Sequence, residues 1–551
     1  MINRIIHFSV YHRAVVLFLT AGIALAGLFA FKSLPIDAVP DITNNQVQIN
    51  TVVEGLAPEE IERTITFPVE SSMRGVGGVT QVRSITRFGL SQVTVVFKDE
   101  VDLYRARQLV SERLQGVRGG LPAGAQPELG PISTGLGEIF QYTVDVKEPA
   151  TNADERLKQL MELRTTQDWF IKPRLISVEG VAEVNTSGGF EKQYHVQPKP
   201  EVMARYGLHF GDLIEALEKT NKNVGGGVIQ QTAEQILVQG VGMFKSPDDL
   251  KYVPIKRLEN QKTITIGEVA DVVLGKELRT GASTLNGREV VLGTAMMLIG
   301  ENSRTVSTRV AARLKEIEKD LPEGTVVTPV YNRSDLVNAT LGTVQHNLIT
   351  GAALVVLILL LLLGNARAAL ITALTIPLSL LATFLVMKPL GISGNLMSLG
   401  ALDFGIIIDG VVIVIDNCVR RIHEKTHATG KSLSAEMIKK TVYEATVEIR
   451  KAAGLGELII VIVFLPIFAL VGIEGKMFRP MAATFAIAVV SALILSFSTA
   501  PALASLFLSG NAKDKEPRIM GTIRRGYEWV LNRSFRARGL TIGIEIGRAH
   551  V

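Results

Sequence analysis

Apolar stretches at 14–31, 336–363, 368–387, 392–419, 455–473 and 480–508 punctuate the chain, and residues 35–335 between the first and second have ordinary water-soluble composition. Each stretch is long enough to cross a bilayer as a helix. In the polar region the period changes. Residues 46–53 alternate as a strand, Pro58 opens a helix to about Met73, 81–86 and 92–97 make a hairpin, and 101–117 make a second helix. The segment Val76-Gly-Gly-Val-Thr-Gln-Val82 is echoed by Val178-Glu-Gly-Val-Ala-Glu-Val184, each after a helix and before a strand. Two copies of a split β-α-β sandwich explain the echo. A polar helix, the Gly225-Gly-Gly227 turn and a Gln-rich strand near 211–240 read as a projecting insertion for subunit contact. The region closes with a strand at 290–298, a helix at 305–321 and a strand at 326–331.

The pattern predicts an α-helical polytopic membrane protein with a large α+β region of ferredoxin-like β-α-β repeats. Its expected parts are a first transmembrane helix (1–34), the two-lobed region with its docking insertion (35–335), and helices two to six with an amphipathic helix near 431–452 (336–510). Last come an amphipathic helix and the start of a seventh span (511–551), with 545–551 read as an artefact of a truncated frame. No small-residue cleavage site follows the first stretch, so it reads as an uncleaved helix.

Composition sharpens this. The chain is 47% apolar with a net charge of +5, and its basic residues gather at span ends rather than in tracts with aromatics, which excludes nucleic-acid binding. Arg4, Arg13, Arg367, Arg420, Arg421, Lys431, Lys439, Lys440, Lys451, Lys513, Lys515 and Arg518 fall on one side, against Lys388, Lys476 and Arg479 in the short loops of the other. The positive-inside rule then makes the N-terminus cytoplasmic and 35–335 external, hence periplasmic in a Gram-negative cell. Cys418 is the single cysteine, so there is no disulfide framework or thiolate cluster.

The fourth stretch carries the candidate chemistry: Asp403, Asp409 and Asp416 interrupt an otherwise uncharged run. A carboxylate at bilayer depth costs at least ~2.5 kcal/mol on insertion scales, so such acids need partners, water or protons. Asp409 and Asp416 are seven apart and fall within roughly 20° on a helix, with Asp403 about 120° from Asp409. Depth makes all three candidates for a proton relay: Asp409 as a proton carrier or a structural acid paired with a neighbouring helix, Asp403 in the same relay or in a metal route, and Asp416 as a further member or an interfacial acid answering Arg420. Met397 and Met481, with Met477, are candidate thioether ligands, although unbranched Met more often fills gaps in packing. His195 and His209 are lone residues without metal-ligand spacing. Carboxylates with few thiols suit Zn²⁺ and Co²⁺ better than Cu⁺. Gly225 to Gly227 lack the Lys-Ser/Thr of a phosphate loop and read as a turn.

Several motifs carry a family resemblance: Pro35-Ile-Asp-Ala-Val-Pro-Asp41, Asn221-Lys-Asn-Val-Gly-Gly-Gly227, Val330-Tyr-Asn-Arg-Ser-Asp335, and Asn395-Leu-Met-Ser-Leu-Gly-Ala-Leu-Asp-Phe-Gly-Ile-Ile-Ile-Asp-Gly410. Over residues 1 to about 544 the chain resembles the amino-terminal half of resistance-nodulation-division transporters. Its branch looks like heavy-metal efflux of the cobalt-zinc-cadmium type rather than the copper-silver type. The resemblance implies a secondary transporter, not an enzyme, that exports Co, Zn, Cd or Ni ions against protons from the inner membrane. It needs no cofactor beyond substrate metal and protons. A homotrimer docked to a periplasmic membrane-fusion adaptor and an outer-membrane channel is implied too. The family usually has Glu where this chain has Asp416. A second half would supply the Lys that pairs with the span-four acids and the lobes that complete the metal cleft. The same architecture also serves Cu/Ag or amphiphilic-drug export, and a non-transporting membrane receptor or assembly component is the alternative of another class.

Overall fold

A computed structural model describes the chain except residues 1, 38–39, 54, 232–233, 259–260, 280, 401–403, 430–431, 509–517, 540–541 and 543–551. Two compact units result: Met1–Leu136 with Ile299–Thr305 and Arg333–Val551, and Gly137–Leu298 with Val306–Asn332.

After an apolar helix, α1 (Arg13–Ser33), the first unit contains a lobe made of β1 (Gln46–Val52), the helical run α2 (58–73), β2 (Val79–Arg87), β3 (Leu90–Phe97), α3 (Leu103–Arg118) and β4 (Gln126–Leu129). Its sheet has the order β2-β3-β1-β4, with all neighbours antiparallel. Burial alternates along β1 and β3, so Val47, Ile49, Val93 and Val95 face inward. Ala106, Val110 and Leu114 of α3 complete the core at the i, i+4, i+8 spacing of one helix face. Asp102 caps that helix by accepting from the Arg105 N–H at 2.9 Å.

The second unit repeats this topology with β5 (Glu138–Val146), the helical run α4 (153–176), β6 (Val181–Ser187), β11 (Arg288–Met297), α5 (Ser303–Glu318) and β12 (Thr325–Asn332), in the order β6-β11-β5-β12. Between β6 and β11, residues 188–287 pack around their own core of Leu213, Leu250, Ile264, Ile266 and Val269. Here β7 (Lys192–Pro198) pairs with β10 (Ala270–Lys276), and β8 (Val224–Gln231) with β9 (Glu234–Gly240) forms a hairpin whose described residues are all exposed. Within the polar pattern near 211–240, the helix Phe210–Thr220 thus belongs to this core through Leu213 and Ala216, and the hairpin alone lies outside it.

The internal echo has a steric origin. Gly78 and Gly180 occupy the same turn before β2 and β6, with φ of +84° and +92°. A Cβ there would lie 2.8 Å from Val101 and 2.6 Å from Val306 respectively. Only glycine combines that backbone conformation with that approach. Both first helices also widen into a π-type turn, Glu62–Thr66 and Gln167–Ile171. Pro68 and Pro173 follow closely, and the wider turn relieves the clash of each ring with the carbonyl four residues back.

The remaining long helices are α6 (Arg333–Leu363), α7 (Ala366–Met387), α8 (Phe404–Thr429), α9 (Ala435–Phe464), α10 (Gly472–Phe497), α11 (Thr499–Phe507) and the basic amphipathic α12 (Arg518–Arg536). Among the described residues five helices are long and apolar enough to cross a membrane, or six if the bent pair within 435–469 is one span. Thr372, Thr375, Ser379 and Thr383, all buried in α7, donate to backbone carbonyls three or four residues back at 2.6 to 3.0 Å, which satisfies their hydroxyls without a partner helix.

Three boundaries differ from the hydropathy reading. Residues 392–395 are not helical, because Gly394–Asn395 pairs in parallel with Ile36–Asp37 and the Gly394 N–H reaches the Pro35 carbonyl at 2.9 Å. The expected amphipathic helix near 431–452 and the span from 455 are one element, α9, which ends at the Pro466 turn. Helix α10 begins at Gly472 rather than 480, and absorbs Lys476 because its ammonium is held by Asp99 and the Thr43 carbonyl, both at 2.8 Å. Two resemblance motifs also meet in the first unit, where Arg333 pairs with Asp37 at 2.9 Å.

Candidate functional site in the membrane helices

Helix α8 has two unlike faces. Ile407, Ile408, Val411, Val414, Ile415 and Cys418 are buried, while Asp409, Ile413, Asp416 and Arg420 form an exposed stripe at helical spacing. Asp409 and Asp416 therefore share one side of the helix. Asp403, the third acid of the expected relay, lies outside the described residues.

The buried face packs on α9, where Val411, Val414, Ile415 and Cys418 meet Ile438, Val442 and Ala445. Beyond this apolar contact, the two helices are joined by polar groups at one end. Asn417, buried, donates to the Ala445 carbonyl at 2.9 Å and to Glu448 Oε2 at 3.3 Å, and accepts from Arg420 at 2.7 Å. Arg421 takes Glu448 with both nitrogens, Nε at 3.0 Å and Nη2 at 2.5 Å, and Lys425 takes Glu444 at 2.7 Å. Basic residues read from the sequence as topology signals thus also hold α8 against α9. Cys418 is buried beside Thr446 and serves packing.

At the other end of the contact the chemistry reverses. Glu457 of α9 is 5% exposed, and among the described residues its Oε2 has no hydrogen-bond partner. Its Oε1 fills the space a side chain would take at Gly410, where a Cβ would overlap that oxygen and lie 2.7 Å from Cδ. The residue preceding Gly410 is Asp409, so the slot that holds Glu457 adjoins the expected proton carrier. Hydropathy does not single out Glu457, because one acid barely lowers the mean of the run 455–473. The signal was nonetheless present: it is the sole charged residue between Lys451 and Glu474.

Met397 lies half-buried in the short helix Leu396–Gly400, and Met481 half-buried in α10. No group of three or more His, Cys, Asp or Glu able to hold a metal occurs among the described residues. His423-Glu424-Lys425-Thr426-His427 on α8 has the H-E-x-x-H spacing of zinc enzymes, and the two imidazoles touch at 4.3 Å between centroids. Glu424, however, is paired with Arg421, Thr426 is buried, and no described third ligand completes a cluster. His195 lies on β7 beside Gln193, and His209 caps the helix Phe210–Thr220.

Comparison with known proteins agrees with this architecture. The AcrB/AcrD/AcrF family profile matches residues 5–548. Protein HelA of Legionella pneumophila is 51% identical over 99% of this chain and 52% of its own length. The cobalt-zinc-cadmium resistance protein CzcA of Cupriavidus metallidurans is 50% identical over 97% of this chain and 50% of its own. The crystal structure of a heavy metal efflux pump superposes with a TM-score of 0.84 at 34% identity, covering 98% of this chain and 51% of the other. The chain spans about half the length of these relatives. It belongs to the AcrB/AcrD/AcrF family, the resistance-nodulation-division transporters of the inner membrane.

Proposed function

We propose that this chain takes part in proton-driven export of divalent heavy-metal cations, Co, Zn, Cd or Ni, as part of a secondary transporter rather than an enzyme. The observation that carries the reading is the pair Asp409 and Asp416 on one exposed stripe of a helix apolar enough to span the membrane. Acids at that depth exchange protons at a cost only function maintains. Asp409 is the central proton carrier, Asp403 its companion, and Asp416 the carrier nearest the charged end of the helix. The similarity to the cobalt-zinc-cadmium resistance protein supports the divalent choice. Met397 and Met481 are secondary candidates for contact with the passing ion.

In this reading the lobes lie in the periplasm and the N-terminus in the cytoplasm, as the basic span ends require. The pump is a homotrimer docked to a periplasmic adaptor and an outer-membrane channel, and the exposed β8–β9 hairpin suits subunit contact. The first test is Asp409→Asn in cells expressing the pump from its own gene. Resistance to Zn²⁺ and Co²⁺ is lost while membrane abundance is unchanged; normal resistance would overturn the assignment. Proton release from pump-bearing vesicles on adding Zn²⁺, Co²⁺, Cu⁺ or an amphiphilic drug separates the divalent pump from the other exporters, and absence of flux with any of them favours a non-transporting component.

A further inference from the structure

Glu457 is the membrane acid to which the relay of α8 gives no task. Buried carboxylates are retained where they are paired, neutral or functional. Glu457 is buried, its Oε2 has no described hydrogen-bond partner, and its Oε1 sits in the slot opened by the missing side chain of Gly410. The neighbouring elements narrow what it can exchange with. Helices α10 and α11 carry no titratable residue from Met481 to Phe507. Glu474, Lys476 and Arg479 lie in the first two turns of α10, with Lys476 held by Asp99. Arg4 and His7 belong to the helix Ile2–Tyr11, whose His7 meets Tyr443 in the opposite half of α9. Helix α8 presents Asp409 and Asp416, and of these Asp409 adjoins Gly410, against which the Glu457 carboxyl lies.

We propose that Glu457 is a further proton-carrying residue, sharing one proton with Asp409 across the slot at Gly410; the proposal rests on the transport reading above. Glu457 lies against the residue next to Asp409, and two carboxylates held on either side of one glycine in a low-dielectric setting do not both ionise but titrate as a pair. The proton leaves Glu457 Oε2 as the Asp409 carboxylate accepts it. One carboxyl is neutral and one charged before and after the step, so the transfer moves a proton without changing the charge buried in the membrane. Asp409 lies on the exposed stripe and Glu457 behind it, which gives the proton a second station off the face of α8.

The experiment is Zn²⁺-driven proton flux of the reconstituted pump as a function of pH, for Asp409→Asn, Glu457→Gln and Glu457→Asp. Asp409→Asn abolishes flux at every pH. Glu457→Gln keeps the shape and burial of the side chain but cannot carry the proton. Its pH midpoint moves by about one unit, a tenfold change in apparent proton affinity, and Glu457→Asp recovers part of that displacement. A wild-type profile in Glu457→Gln alongside a dead Asp409→Asn overturns the role of Glu457 and leaves the transport reading standing. Full flux in Asp409→Asn overturns the transport reading and this proposal with it. Because glutamine preserves packing, a purely structural role would not move the pH midpoint.

Discussion

Helices α8 and α9 meet at two places whose chemistry is opposite. At 417–425 each carboxylate of α9 finds a cation of α8: Glu448 with Arg421 and Glu444 with Lys425, all more than a third exposed. At 409–410 an acid of α9 is buried against a glycine of α8, and the residue beside that glycine is another acid. Where water reaches, pairing is inexpensive and fixes the register of the helices. At membrane depth, an arrangement that spends stability by placing like charges together is informative about function, since packing alone would favour an aliphatic residue there.

The largest expected effect comes from closing the slot. Gly410→Ala places a methyl where Glu457 Oε1 lies, so either the carboxyl leaves or the helices separate. Overpacking of this kind costs about 1–3 kcal/mol, and flux falls with it. Thermal unfolding of Gly410→Ala, Glu457→Ala and the double variant resolves the cause. If the slot is the reason, the double variant is more stable than Gly410→Ala alone, since removing the carboxyl restores room for the methyl. Additive losses would place the strain elsewhere and break the contrast between the two contacts.

Asp416 lies between the two regions, exposed, seven residues past Asp409 and four before Arg420. Asp416→Asn, nearer the charged end of the helix, is expected to reduce metal resistance by less than about tenfold. The metal concentration that halves growth measures this. A loss as complete as that of Asp409→Asn would extend the proton-carrying region to the edge of the paired one, and no loss would confine it to Asp409 and its neighbours.

Much of this was readable from the chain. Period-two alternation located the strands near 46–53 and 92–97 within a residue or two, since one buried face leaves that pattern wherever it occurs. The seven-residue spacing placed Asp409 and Asp416 on one side of a helix from the geometry of 3.6 residues per turn alone. What escaped was tertiary. The pairing of Gly394–Asn395 with Ile36–Asp37 uses backbone groups, which no side-chain pattern encodes. The slot at Gly410 exists only because a glutamate 47 positions later turns into it. Lys476 reads as a loop residue in the sequence, and Asp99 and Thr43, far earlier in the chain, hold it at the start of a helix. Glu457 was hidden by averaging, because a single charge in a long apolar run scarcely alters its hydropathy.

The smallest effect belongs to the paired end. Arg421→Gln removes a two-pronged contact with Glu448, but both side chains are partly solvated, and exposed ion pairs contribute little to stability. Asn417 still bonds the Ala445 carbonyl, and Lys425 still reaches Glu444, so α8 and α9 stay in register. The expected outcome is a slight fall in melting temperature at low salt, with Zn²⁺-driven flux and its pH midpoint unchanged. In 1 M salt, where the Debye length is about 3 Å, the difference from the unmodified protein should disappear. A shifted pH midpoint in Arg421→Gln would show that the clamp reaches the acids above it, so that the two contacts between α8 and α9 act as one.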